Sequence, residues 1–98
     1  MKALVFHPLA ESEVLRAASF YLRAGPALVL KFRFRLNETL QRIQSNPLAY
    51  AAESNGDRIA PIKKFPYKVV YRELANHIWI AAVGHHSRRP KYWSRRKP

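Results

Sequence analysis

Apolar positions in the N-terminal half of the chain recur at helical spacing. Between residues 8 and 23 they step by three and four, and Glu11 and Glu13 fall in the first turn, where the helix dipole favours anions. Residues 26–45 repeat the pattern, with Pro26 suited to a first helical position. Since only Ala24-Gly25 separates the two runs, they predict an antiparallel hairpin of helices.

The other apolar segments have the composition and period of strands. They are residues 3–6, 58–65, 67–74 and 77–83. Pro61 has no amide hydrogen for a sheet ladder, so the run that contains it is predicted as an edge strand or a bulge. Residues 77–83 are apolar on both faces, which indicates a central strand.

The order strand, helix, helix, strand, strand, strand predicts an α+β domain. In this fold an N-terminal strand and the two-helix hairpin pack on a mostly antiparallel β-sheet, in the order β-α-α-β-β-β. A length of 98 residues indicates one domain over 1–98, with a basic C-terminal tail at about 85–98. Hydrophobic residues make up 48% of the chain, which is enough for a core despite a net charge of +12.

Positive charge is concentrated at the C-terminus. Residues 88–98 hold six of the eighteen Lys and Arg, include Tyr92 and Trp93, and contain no acidic residue. Cations neutralise phosphates and aromatic rings stack on bases, so the tail is predicted to contact an anionic target that contains nucleic acid. The alternative is a solvated tail that only aids solubility. If the tail carries the active surface, its removal should abolish activity and leave the core folded.

Several function classes are excluded by composition. The chain has no cysteine, no metal-ligand spacing and only three glycines, so we expect neither a metal nor a nucleotide cofactor. It also lacks a signal peptide and an apolar run long enough to span a bilayer. These features predict a cytoplasmic protein that does not associate with membranes.

One set of candidate residues fits metal-free cleavage of RNA. Such a reaction needs cations to hold the phosphate and groups that exchange protons. Lys68, Arg72 and Arg88 are the candidate cations, and His86 and Tyr92 are the candidates for proton transfer. No carboxylate follows Glu73, so a Glu-plus-His pairing is not evident. As alternatives, the histidine could cap a strand end, and Trp93 and Tyr92 could fold the tail back onto the core.

The chain resembles a known family. The order of elements, the block at residues 58–72 and the ending at residues 85–93 together look like the RelE/ParE superfamily of toxins from bacterial type II toxin-antitoxin modules. The likeness covers nearly the whole chain. It implies a small basic toxin that a cognate antitoxin wraps and neutralises in a hetero-oligomer. The cations of the second helix are then either a solvated surface or an antitoxin-docking surface, and not a catalytic one; they are Lys31, Arg33, Arg35 and Arg42.

The resemblance leaves two targets open. RelE-like members cleave messenger RNA on the ribosome, whereas ParE-like members inhibit DNA gyrase. Tyr92 matches the tail tyrosine of the nucleases. Lys68, however, occupies the position where they usually have an arginine, and lysine lacks the planar guanidinium group that binds phosphate at two points. His86 lies near the position of the tail arginine of the nucleases. The ending at residues 89–93 resembles the endings of ParE-like sequences.

We therefore predict a ParE-like inhibitor of DNA gyrase. In this interpretation Arg88, Arg89 and Trp93 act by contact with the target, and Lys68 and Arg72 add to the binding surface. The first alternative is a RelE-like, ribosome-dependent, metal-independent mRNA endoribonuclease that uses His86 and Tyr92. The second is a non-toxic, basic nucleic-acid-binding module.

Overall fold

The computed structural model describes residues 1–98 and has the predicted order of elements. These are β1 (Ala3–Phe6), α1 (Pro8–Ala24), α2 (Pro26–Ser45), β2 (Arg58–Pro61), β3 (Tyr67–Glu73) and β4 (His77–His85). The α+β prediction is confirmed. Two boundaries differ from the prediction by more than one residue. Strand β2 stops at Pro61 because the amide of Ile62 donates to the Tyr67 carbonyl and begins the turn to β3. Strand β4 continues past Val83 to His85, where it pairs with Tyr67.

The four strands form one sheet in the order β1-β4-β3-β2. Strand β1 runs parallel to β4, and the other neighbours are antiparallel. Strand β4 is central and is buried from Ile78 to Gly84, as its apolar character on both faces predicts. Pro61 lies in the edge strand β2, where its missing amide hydrogen is tolerated.

The helical hairpin covers one face of the sheet. Helix α1 begins after His7, whose Nδ1 accepts from the Leu9 amide at 3.0 Å and so caps the first turn. Phe32 and Ile43 of α2 are buried in the core beneath the hairpin, which also contains Ile78 and Ile80 of β4. Neither helix is both long and apolar enough to cross a membrane.

The C-terminal tail, residues 86–98, covers part of the opposite face. Trp93 is only 3% exposed and packs with Val70, Trp79, Ala81 and Ala82 in a second apolar cluster. Removing a buried tryptophan costs about 3–5 kcal/mol, a large share of the stability of a small domain. The expectation that the tail can be removed without harm to the core conflicts with this packing, because the tail contributes Trp93 to a buried cluster.

Candidate functional site

Strand β4 has an irregular stretch at Ala81, and the tail is attached there. Strand β1 ends at Phe6, opposite Ile80, so β4 has no strand neighbour on that side beyond this point. On the other side the register with β3 shifts between Val70 and Tyr71, which leaves Ala81 as the extra residue of a β-bulge. Backbone groups of β4 beyond Ile80 therefore need other partners.

Two charged side chains supply those partners. Arg96 of the tail donates to the Ala81 carbonyl at 2.9 Å, and Glu13 of α1 accepts from the Val83 amide at 3.0 Å. The same two side chains form a two-pronged ion pair, with both guanidinium-to-carboxylate distances at 3.0 Å. Glu13 and Arg96 thus join the first helix, the central strand and the tail in one polar cluster.

Tyr92 and Arg88 complete the cluster. The guanidinium carbon of Arg88 lies 4.0 Å from the centre of the Tyr92 ring, and that of Arg96 lies 5.2 Å from it. Arg88 also approaches Glu13, at 3.7 Å between Nη1 and Oε2. The Tyr92 ring packs so closely on Gly84 that no side chain would fit there. Its buried hydroxyl lies beside the Glu13 carboxylate but makes no hydrogen bond of normal geometry.

Burial and hydrogen bonding together determine the protonation states of Glu13 and Tyr92. Burial alone would raise the pKa of Glu13, but the hydrogen bonds from Arg96 and the Val83 amide outweigh it, so the pKa of this carboxyl lies below its ordinary value. Burial, reinforced by the neighbouring Glu13 carboxylate, raises the pKa of Tyr92 far above its ordinary value. At neutral pH Glu13 is ionised, and Tyr92 holds its proton firmly.

A second buried carboxylate holds the tail at Trp93. Asp57, only 1% exposed, accepts from the Trp93 indole at 2.9 Å, from Arg72 Nε at 2.6 Å and from Asn55 at 2.9 Å. Lys68 lies over the Trp93 ring, with its Nζ 5.3 Å from the ring centre. The loop before β2, the outer face of β3 and the tail are thereby connected.

The structure gathers the predicted cations on the tail side of the sheet, but it engages several of them internally. Lys68 and Arg72 share a face, as their spacing predicts; Arg72 is paired with Asp57, and Lys68 contacts Trp93. Arg88 is about half exposed, and Arg89 is exposed and has no acidic partner. Trp93 was proposed as a contact residue, but its buried ring follows the fold-back alternative.

The two candidates for proton transfer do not form a pair. His86 is exposed, its amide donates to the Pro66 carbonyl, and its side chain makes no hydrogen bond. Tyr92 points into the cluster around Glu13, with its hydroxyl buried. His86 is therefore accessible at the surface, whereas the Tyr92 hydroxyl is not.

Sequence reasoning missed the two carboxylates that anchor the tail. Glu13 was interpreted only as a first-turn anion and Asp57 only as part of a turn. A signal for Glu13 was available, because Ala10, Glu13, Ala17 and Tyr21 form the buried face of α1 and only one of them is charged. A carboxylate on a buried helix face requires a cation, which here comes from the far end of the chain.

The helical side has a different surface chemistry. Every exposed large apolar side chain lies at or before residue 48: Met1, Val5, Leu9, Leu15, Phe20, Leu22, Leu30, Phe34 and Leu48. A groove of about 600 Å³ between α2 and the β2–β3 turn, called here the α2 groove, is lined by Leu28, Leu30, Lys31, Phe34, Arg35, Lys64 and Phe65. The α2 groove is therefore lined by both apolar side chains and cations.

Comparisons with known proteins agree with this architecture. A family model described as ParE toxin of type II toxin-antitoxin system, parDE, matches residues 4–90. A solved structure of the chromosomal ParDE TA system from P. aeruginosa aligns with a TM-score of 0.74 and 20% sequence identity, covering 87% of this chain and 96% of that one. No curated protein sequence matches significantly. The family match stops at Pro90, before the tail residues that enter the buried clusters.

Proposed function

The chain belongs to the ParE toxin family of type II toxin-antitoxin systems, and on that premise we propose that it arrests bacterial growth by inhibiting DNA gyrase until a cognate antitoxin neutralises it. The observation that carries the choice of target is the state of Tyr92. Its hydroxyl is buried beside Glu13, and its pKa is raised. A tyrosine in this state neither takes a proton from RNA nor gives one up easily.

The surroundings of Tyr92 also argue for action by binding. Arg72, a candidate phosphate ligand, is paired with Asp57 at 2.6 Å, and His86 has no side-chain partner that would orient it. A nuclease centre requires its cation to be free to bind phosphate and its proton-transfer group to be held in position against the RNA. The proposed contact residues for gyrase are Arg88 and Arg89, while Trp93 holds the tail in position from beneath.

We assign the antitoxin to the α2 groove. Leu30 and Phe34 are 67% and 62% exposed, and Lys31, Arg35 and Lys64 lie around them. An antitoxin segment with apolar anchors and acidic flanks matches this surface in both respects, in a toxin–antitoxin hetero-oligomer. Such a complex would also reduce the toxin's net charge of +12.

Induced expression in a bacterial host tests the choice of target. From one culture, messenger RNA ends are mapped by primer extension and plasmid supercoiling is measured on gels. We expect altered supercoiling or cleaved DNA with intact messenger RNA. Codon-spaced RNA cuts with normal DNA topology would overturn the gyrase proposal in favour of the ribonuclease.

The docking assignment is tested by co-expression with the product of the adjacent short reading frame. Phe34→Glu should remain toxic and lose most of the rescue, because a carboxylate would replace the apolar anchor in the α2 groove. The matched control is Leu48→Glu, since Leu48 is equally exposed, at 63%, and lies outside the groove. Equal rescue of both variants would refute this docking site.

A further inference from the structure

The tail side of the molecule carries cations that the protein itself does not neutralise. Only five of the eighteen Lys and Arg are in ion pairs, namely Lys2, Arg35, Arg72, Arg88 and Arg96. Among the rest, Arg89, Lys91, Arg95 and Lys97 lie in the tail, and Lys63, Lys64 and Lys68 lie at the β2–β3 turn and on β3. We call these seven residues the cationic surface.

Backbone contacts bring the two parts of this surface together. The His86 amide donates to the Pro66 carbonyl at 2.8 Å, so the start of the tail lies against the β2–β3 turn. Further along, Lys68 contacts the ring of Trp93. The flanking residues Arg89, Arg95 and Lys97 are exposed. These contacts place the tail against the β2–β3 turn and β3. Lys64, which also lines the α2 groove, lies where the cationic surface borders that groove.

No acidic side chain forms an ion pair with any of them; the two unpaired carboxylates, Glu11 and Glu53, lie on α1 and in the loop before β2. The two carboxylates nearest the tail, Glu13 and Asp57, are buried, and each already forms an ion pair with an arginine. Glu73, the last acidic residue in the chain, pairs with Lys2. Clustered charge of one sign with no internal partner creates a positive potential that attracts an anionic partner.

The absence of apolar anchors on this side indicates what that partner is. All exposed large apolar side chains lie at or before residue 48, and the aromatic rings of the tail, Tyr92 and Trp93, are turned inward. Protein partners bind tightly through buried aromatic and aliphatic anchors, which the cationic surface lacks. Regularly spaced phosphates need only cations.

We infer that the cationic surface binds the phosphate backbone of duplex DNA. The inference rests on the proposed gyrase target for its role: gyrase holds DNA, so a toxin with this surface would contact the DNA as well as the enzyme. The two sides of the molecule then bind different partners: the apolar helical side binds the antitoxin, and the tail side binds DNA.

The test is the salt dependence of binding to a short DNA duplex, measured by fluorescence anisotropy without gyrase. Each phosphate contact adds about −0.9 to the slope of log K against log[salt], so seven contacts set a limit of about −6. Replacing Arg89, Arg95 and Lys97 together by Gln should make the slope shallower by about 2.7. The control replaces Arg23, Arg33 and Arg42 by Gln and removes the same charge from exposed positions on the helices.

The outcomes separate this inference from the proposed function. A reduced slope in the tail variant and an unchanged one in the control support DNA binding by the cationic surface. Equal losses in both variants, a wild-type slope shallower than about −2, or duplex RNA bound tenfold more tightly than DNA would overturn it. Gyrase inhibition is assayed separately: DNA binding without inhibition would contradict only the gyrase target.

Discussion

Replacing Glu13 by Gln removes the charge that holds the tail. The carboxylate is 4% exposed and its partner Arg96 is 11% exposed, so the substitution leaves a nearly buried guanidinium without an anionic partner, although the Ala81 carbonyl still accepts from it. Breaking one side of a buried ion pair costs about 3–5 kcal/mol. Because the glutamine oxygen can still accept one hydrogen bond, we expect a loss of about 3 kcal/mol.

This loss is measurable by chemical and thermal unfolding. For a domain of this size, about 3 kcal/mol corresponds to a decrease in Tm of about 12–24 °C. The matched control is Glu11→Gln, since Glu11 lies on the same helix, is exposed and forms no ion pair; it should lose at most about 1 kcal/mol. Limited trypsin digestion should also cut the tail faster in the Glu13 variant. Unfolding within about 1 kcal/mol of wild type, with an equally resistant tail, would refute the reasoning.

Three further predictions follow from the same cluster. The pKa of Glu13 is lower in the folded state than in the unfolded state, so its contribution to stability is complete above the unfolded-state pKa and is lost as pH falls through the folded-state pKa. Urea unfolding at a series of acid pH values should therefore show the difference in unfolding free energy between wild type and Glu13→Gln disappearing in that range. A difference that stays constant with pH would contradict the assignment. Gly84→Ala places a Cβ 2.8 Å from two ring atoms of Tyr92 and should cost about 1–3 kcal/mol in an unfolding experiment, whereas Gly25→Ala, with no atom within 4 Å, should cost less. Tyr92→Phe removes a buried hydroxyl that lies beside Glu13 without a hydrogen bond of normal geometry, so it should retain toxicity on induced expression and unfold at the same or higher denaturant concentration. Loss of toxicity in a stable variant would favour the ribonuclease.

Most of the fold could be predicted from the sequence because local pattern and tertiary environment agree. The period of the two helices, the doubly apolar central strand and the proline at the sheet edge each indicate where a segment lies. The bulge at Ala81 could not be predicted in this way, because a strand that is apolar on both faces shows no alternation to interrupt.

The candidate site was predicted less completely, because it depends on contacts between distant parts of the chain. Arg96 meets Glu13 across 83 residues and Trp93 meets Asp57 across 36, and no local pattern encodes such pairs. The tail is predominantly basic, so its composition indicates a contact surface for an anionic target or, alternatively, a solvated segment. Its two aromatic rings nevertheless turn inward, because burying them is more favourable than exposing them.

The most direct test of the central claim is a supercoiling assay with purified gyrase, relaxed plasmid and purified toxin. We expect loss of supercoiling as the wild-type toxin is added, and the same loss with Tyr92→Phe, since the tyrosine hydroxyl has no chemical role in this mechanism. Full supercoiling at toxin concentrations well above that of gyrase, together with cleavage of messenger RNA on purified ribosomes, would contradict it.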